Sequence, residues 1–390
     1  MKSQNRLLLL PLLIIISCAP LVSIRRAGEE PIVRILLSRN PEEITISSDF
    51  ELEIKTGKEK GIVKGPIHIF TCPLEISTSK GKIKNPGFPI FITSSKGNIY
   101  LMGKAYPGGI KISKGSDILV VSYVPIEKYV KGVLPYEMGK LPLDQIEALK
   151  AQAVAARSYV MANREPHREY DILPTISDQV YGGMEEVDNV INEAVESTRG
   201  IVATYNGKII NAKYSSTCGG ITEDNENVWK GKRLSYLRSV KDSGWDGEPF
   251  CRFSPYFRWE KSYNKDEFFE VVKKQIKELF GQTPHEIQWI RIAKRTKTRR
   301  VRTIEINTEI GKFYLDRDQI RRLFADFRGS IRSLLFWIKV KGDKIIIYGR
   351  GYGHGVGMCQ YGAIEMAKEN FDFQQILCHY YTGIRLRKLW

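Results

Sequence analysis

The first chemically suggestive feature of this chain is one carboxylate set among apolar neighbours. Val133-Leu134-Pro135-Tyr136-Glu137-Met138 places Glu137 beside side chains that would strip it of water. Desolvation disfavours the charged form of a carboxyl and raises its pKa, which is how a glutamate stays protonated near neutral pH and serves as a general acid. Most glutamates are solvated surface groups, so local context alone makes Glu137 a candidate and nothing firmer.

A glycine-dense loop follows near the C-terminus, with Gly349, Gly351, Gly353, Gly355 and Gly357 around His354. Alternate glycines permit positive φ and close backbone approach, so free N–H groups there could cradle an oxyanion. A tight strand-to-helix connection holding a hydrogen-bonded histidine explains the same letters equally well. A dinucleotide fingerprint is excluded, because the strictly alternating glycines do not follow G-x-G-x-x-G and the loop sits in no βαβ unit. A third cluster, Tyr214-Ser215-Ser216-Thr217-Cys218-Gly219-Gly220, suits a ligand-lining turn or an ordinary hairpin end. No Gly-x-Ser-x-Gly elbow is present, which removes support for serine-hydrolase chemistry.

The histidines, His68, His167, His285, His354 and His379, form neither HExxH nor His-x-His. Apart from Cys18, the cysteines are Cys72, Cys218, Cys251, Cys359 and Cys378, with no CxxC spacing. Cys218, Cys251, Cys359 and a histidine could converge as a tetrahedral zinc site; a Cys218–Cys251 disulfide is at least as reasonable in an exported protein.

The elements that must position these groups change character along the chain. From Ile32 to about Tyr123, short alternating runs punctuated by Gly, Pro and Ser-Lys pairs predict strands. Leu143 to Asn163, rich in Ala, Leu, Gln and Lys and entered through Pro142, is the best helix, and Glu137 is expected just ahead of it. A second helix is expected over Val187 to Thr198. It leads into a hairpin closed by Asn206-Gly207. Further helices are expected at Lys265 to Phe280 and Asp316 to Phe324, and two strands precede the glycine loop. Mixed strands and helices without βαβ alternation argue for an α+β fold. The expected organisation is a leader over residues 1–18, a β-rich region over 30–120 and a core over 121–390.

With 390 residues and 42% hydrophobic content the chain can bury a substantial core. Its net charge of +16 suits anionic polymers, including the cell wall. The densest basic run, Arg291 to Arg302, alternates with strand formers and reads as a solvated β-hairpin instead of a nucleic-acid recognition helix. Lys2 and Arg6 precede an apolar stretch, Leu7 to Ile16, shorter than the ~20 residues a spanning helix needs, so it reads as a signal-peptide core and implies export. Ile15-Ile16-Ser17-Cys18 resembles the bacterial lipobox, which makes Cys18 the expected acylated first residue of a lipoprotein facing the cell wall.

Several blocks together resemble the SpoIID/LytB family, named for a sporulation protein and an amidase enhancer. They are VPIEKYVKGVLPYEMGKLPLDQIEALKAQAVAARSYVMAN (Val124 to Asn163), SDQVYGG (Ser177 to Gly183), AKYSSTCGG with Val228-Trp229 downstream, YLRSVKD (Tyr236 to Asp242), GYGHGVGMCQYGA, and HYYTG (His379 to Gly383). Their order covers roughly residues 120–390, and the region before 120 matches loosely. The resemblance implies a peptidoglycan lytic transglycosylase that cuts the MurNAc-β-1,4-GlcNAc bond without water and leaves a 1,6-anhydro sugar, with no cofactor required. The glutamate of the family's "EM" motif falls on Glu137. One carboxyl then serves twice: it protonates the glycosidic oxygen, and afterwards accepts the proton of the C6 hydroxyl that closes onto C1. The resemblance would line a glycan groove between β-rich and helical parts with Arg157, Tyr159, Gln179, Tyr181, Ser216, Thr217, His354, Gln360 and Tyr361. It also implies peptidoglycan strands and an N-acetylmuramoyl-alanine amidase as partners, no nucleic acid, and, in the enhancer branch, binding without catalysis. Some family members hold zinc through a histidine near "STCGG"; Tyr214 and Ser215 stand there in this chain and argue against that site.

Overall fold

The computed structural model describes residues 28–390, apart from 166, 318 and 326–328. The leader, Cys18 included, lies outside the described residues. The architecture is α+β, with eight helices and several sheets among the described residues.

Ten strands between Ile32 and Pro125 form one sheet. Alternation of side chains explains its core: Ile44 and Ile46, Leu52 and Ile54, Ile67 and Ile69 are buried while their neighbours along each strand face outward. The first strand, Ile32–Arg39, lies antiparallel to the last, Ile118–Pro125, which pairs in turn with Lys104–Lys114. This sheet shares a continuous hydrophobic cluster with the helices that follow, running from Val33 to Leu386.

The last strand of the sheet delivers Pro125 directly to the N-cap of helix α1, Ile126–Met138. The sequence reading did not foresee α1 and placed Glu137 ahead of a helix, whereas it lies in the last turn of one. Pro135 and Gly132 hide the helix, since an interior proline costs about 3 kcal/mol and glycine about 1 kcal/mol relative to alanine. Burial of Ile126, Tyr129, Val130, Val133 and Leu134 outweighs that cost, at roughly 1.5–3 kcal/mol for each large apolar side chain.

After a 3₁₀ turn at Leu143–Gln145 comes α2, Ile146–Ala162. Its alanines at 148, 151, 153, 155 and 156 are all fully buried, so neighbouring elements close on it from every side. Helix α3, Asn189–Ser197, is capped by Asp188, whose side chain accepts from Ile191 N–H at 2.8 Å. The strands Ile201–Tyr205 and Lys208–Ile209 form the expected hairpin, and Asn206 and Gly207 take the paired positive φ values, 49° and 78°, of a type I′ turn.

Residues 121–390 hold a second hydrophobic core in addition to the first. Helix Lys265–Phe280 packs with two three-stranded sheets, and Tyr263, Phe268, Phe324, Phe336 and Ile347 are buried among them. The basic run does form a hairpin here, Ile287–Arg295 against Val301–Thr308. No helix of the described residues is long and apolar enough to cross a membrane.

Candidate active site

Glu137 sits at the C-terminal end of α1, where the helix dipole opposes a negative charge. Val180 N–H donates to Oε1 at 2.9 Å and Gln360 Nε2 donates to Oε2 at 3.3 Å, so both oxygens are fixed. Burial raises the pKa of this half-buried carboxyl, and the two donors pull it part of the way back. The outcome is a carboxyl that holds its proton to higher pH than a solvated glutamate does.

Two close approaches set the loop Asp178–Gly183 against α1. A Cβ at Gly182 would lie 1.9 Å from Tyr136 Cζ, and one at Gly132 would lie 2.4 Å from the Tyr181 ring. Gly182 N–H donates to Gly132 O at 3.2 Å, and this register brings Val180 to Glu137. Tyr136 remains 40% exposed beside the acid.

A buried chain of hydrogen bonds supports the same face. Tyr129 Oη donates to Gln179 Oε1 at 2.8 Å, and Gln179 Nε2 donates to Tyr214 Oη at 2.7 Å. Burial, with the Glu137 charge adding, pushes both phenols well above their usual pKa, so they remain protonated donors. Tyr159 Oη donates to Asp178 Oδ1 at 3.0 Å and accepts from Lys213 Nζ at 3.4 Å. Lys213 also lies over the Tyr159 and Trp229 rings at 4.5 and 5.5 Å, and burial lowers its pKa. Asp178 is further engaged by Leu173 N–H at 2.9 Å.

Of the residues assigned to a glycan groove, Gln360 touches Glu137 directly. Gln179 and Tyr181 are buried behind the acid, the Tyr181 ring stacked 5.3 Å from Tyr129. Tyr159 is buried at the Asp178–Lys213 cluster. Ser216 and Tyr361 are half-buried and joined through Tyr361 N–H to Ser216 O at 3.1 Å.

Three assignments need correction. Arg157 is fully buried: it pairs with Glu127 at 2.6 Å and donates to Ile201 O at 2.9 Å, tying α1 and α2 to the following strand. Thr217 is 1% exposed and shares its hydroxyl with Ser254 at 2.6 Å, so it faces the interior. The glycine loop is not a free anion cradle, because Gly351, Gly353 and Gly355 N–H are taken by Tyr256 O, Arg332 O and Ser215 Oγ. Its glycines are required by packing: a Cβ at Gly355 would sit 2.3 Å from the Arg300 guanidinium, and one at Gly357 2.0 Å from Lys213 O. His354 is part of this packing. Its Nδ1 accepts from Val356 N–H at 3.0 Å, its ring lies 4.8 Å from Trp229, and burial pushes its pKa down to about 3, so it is neutral.

Sequence reasoning missed Tyr129, Tyr214, Asp178, Lys213 and Trp229 as members of the site. All five lie inside the quoted blocks, Tyr129 in the first of them and Lys213 and Tyr214 in AKYSSTCGG, which was the available signal. The strand Tyr214–Ser215 pairs in parallel with Met358–Cys359, and this brings the two loops together. That pairing sets Cys359 beside Cys218, and Asp242 N–H donating to Gly220 O at 3.1 Å brings in Asp242 and Cys251, so that Asp242 is the fourth member in place of the expected histidine. The four ligand atoms lie within 4.8 Å of one another.

Comparison with known proteins bears on the family of the chain. A family model described as stage II sporulation protein matches residues 114–205, the span holding α1, α2, Glu137 and the Asp178–Gly183 loop. A domain of unknown function, DUF8618, matches residues 223–357, which take in the second hydrophobic core. An uncharacterised protein of Brachyspira hyodysenteriae is 36% identical over 296 residues, covering 73% of each chain. Stage II sporulation protein D of Bacillus subtilis is 33% identical over 306 residues, covering 73% of this chain and 80% of that protein. The amidase enhancer of Bacillus subtilis is 33% identical over 290 residues, covering 66% of this chain and 40% of the enhancer. The chain belongs to the stage II sporulation protein D family.

Proposed function

We propose that this protein is a peptidoglycan lytic transglycosylase in which Glu137 acts first as acid and then as base. The observation that carries the reading is the Glu137 carboxyl itself. It is half-buried at a helix C-terminus, its pKa is raised by desolvation, and both oxygens are held by Val180 and Gln360. In this reading Glu137 protonates the oxygen linking MurNAc to GlcNAc. The carboxylate left behind takes the proton of the muramic C6 hydroxyl as that oxygen closes onto C1. The proton delivered to the leaving group is replaced by the one removed from the nucleophile, so the enzyme is regenerated without water entering the product. Gln360 and Val180 N–H stabilise the carboxylate between the two transfers. Lys2, Arg6, the apolar stretch and Cys18 support export and a lipid anchor facing the wall.

The likeness to an amidase enhancer favours a second reading, in which the same surface binds glycan and stimulates a wall amidase without cleavage. Purified protein incubated with peptidoglycan, intact and stripped of stem peptides, separates the two. Release of 1,6-anhydro products, detected by mass spectrometry and lost in Glu137→Gln, supports the enzyme. Absence of such products with amidase stimulation that survives Glu137→Gln supports the enhancer.

A further inference from the structure

We propose that Cys218, Cys251, Cys359 and Asp242 hold one zinc ion in a closed site that clamps the Gln360 side of the Glu137 centre. The four residues are buried, and their ligand atoms lie within 4.8 Å of one another. Zinc–thiolate bonds of about 2.3 Å arranged tetrahedrally give a sulfur–sulfur edge of about 3.8 Å; Cys218 Sγ and Cys251 Sγ stand 3.8 Å apart. A set of three thiols and a carboxylate selects a soft, tetrahedral, redox-inert ion. Complete burial leaves no open position for substrate, so the ion is structural.

The surroundings are those of a ligand shell. Cys218 N–H points at Cys359 Sγ at 3.2 Å, Cys251 N–H donates to Asp242 Oδ2 at 3.2 Å, and Tyr380 Oη donates to Asp242 Oδ1 at 2.5 Å. Such contacts orient ligands around an ion. Asp242 is 0% exposed and has no cationic partner among the described residues. A buried carboxylate in that position is costly unless a cation compensates it. Arg300, 2% exposed, donates to Cys218 O at 2.7 Å and Ile221 O at 2.9 Å and brings positive charge to the excess negative charge of the ligands. A Cys218–Cys251 disulfide would leave Cys359 and Asp242 without any such compensation.

The consequence reaches the proposed active centre. Cys359 directly precedes Gln360, the donor to Glu137 Oε2, and Cys218 directly follows the Ser216-Thr217 pair. One ion therefore joins the "STCGG" turn, the glycine loop and the 242–251 segment, and holds Gln360 in place.

The test uses the full chain, purified under reducing conditions, equilibrated with zinc chloride and freed of excess metal. Elemental analysis should find about one zinc per chain, and Asp242→Asn and Cys251→Ser should each lower retained zinc at least about tenfold. Stripping the wild type with a chelator should lower its Tm by on the order of 5 °C or more, and added zinc should restore it. Should the variants fail to fold, native mass spectrometry of the wild type decides. A zinc adduct supports the site; a metal-free chain that takes up no zinc after full reduction overturns it. None of these readings depends on glycan cleavage, so a zinc-loaded chain that released no anhydro product would remove the proposed activity and leave the metal site standing.

Discussion

Replacing Glu137 by glutamine tests the central chemistry with little structural disturbance. The amide keeps an acceptor for Val180 N–H at the 2.9 Å contact, and a flip of the Gln360 amide restores the second hydrogen bond. Exchange of two charge-assisted hydrogen bonds for neutral ones loses about 1 kcal/mol each. Removing a desolvated charge from the end of α1 offsets much of that. The net change in stability should stay within about 1 kcal/mol, a shift in Tm of no more than ~4 °C. Catalysis should respond very differently. Loss of a general acid–base costs a factor of ~10²–10⁴, or about 3–5 kcal/mol of barrier, and the upper end is expected because one carboxyl serves both steps. Quantifying anhydro-muropeptide release beside a thermal melt tests both halves. A folded variant within tenfold of wild-type activity would refute the assignment.

The raised pKa of Glu137 also sets two pH dependences. In the folded state the group holds its proton to higher pH than when unfolded, so stability is largest below the ordinary carboxyl range and declines as pH rises through the folded pKa. Chemical denaturation across pH should show that decline in wild type and less of it in Glu137→Gln. The acid step needs the protonated form, so the alkaline limb of the rate profile should follow Glu137, and Gln360→Ala, which removes a donor to the carboxylate, should move that limb upward. Arg157→Ala strands buried Glu127 and should cost about 3–5 kcal/mol in urea unfolding. Gly132→Ala forces a methyl against Tyr181 and Gly183 O, at 2.4 and 2.6 Å, and should cost about 1–3 kcal/mol while displacing the loop that carries Val180.

Much of the fold was legible because its signals are local. Alternation announced the strands of the first sheet, the Ala-rich run announced α2, and Asn206-Gly207 announced a turn whose two residues must both take positive φ. Helix α1 was illegible for a reason of the same kind. Pro135 and Gly132 argue locally against a helix, and the burial that overrides them comes from residues distant in the chain. The second core within residues 121–390 was hidden likewise, since it is closed by a strand, Arg258–Asn264, that pairs with Lys344–Arg350 far along the chain.

The same division runs through the site. Residue types and their order determined by themselves that Glu137 was the candidate acid and that the chain resembles one family. Tertiary structure decided which polar side chains stand beside that acid. Arg157 and Thr217 became interior groups because their partners, Glu127 and Ser254, are fixed by packing far along the chain. Gln360 came to Glu137, 223 positions away, through the parallel pairing of Tyr214–Ser215 with Met358–Cys359. The same pairing set Cys359 beside Cys218, and the hydrogen bond from Asp242 N–H to Gly220 O added Asp242 and Cys251 to the cluster. Long-range contacts of this kind follow from the whole hydrophobic core closing at once, and no local stretch of sequence carries them.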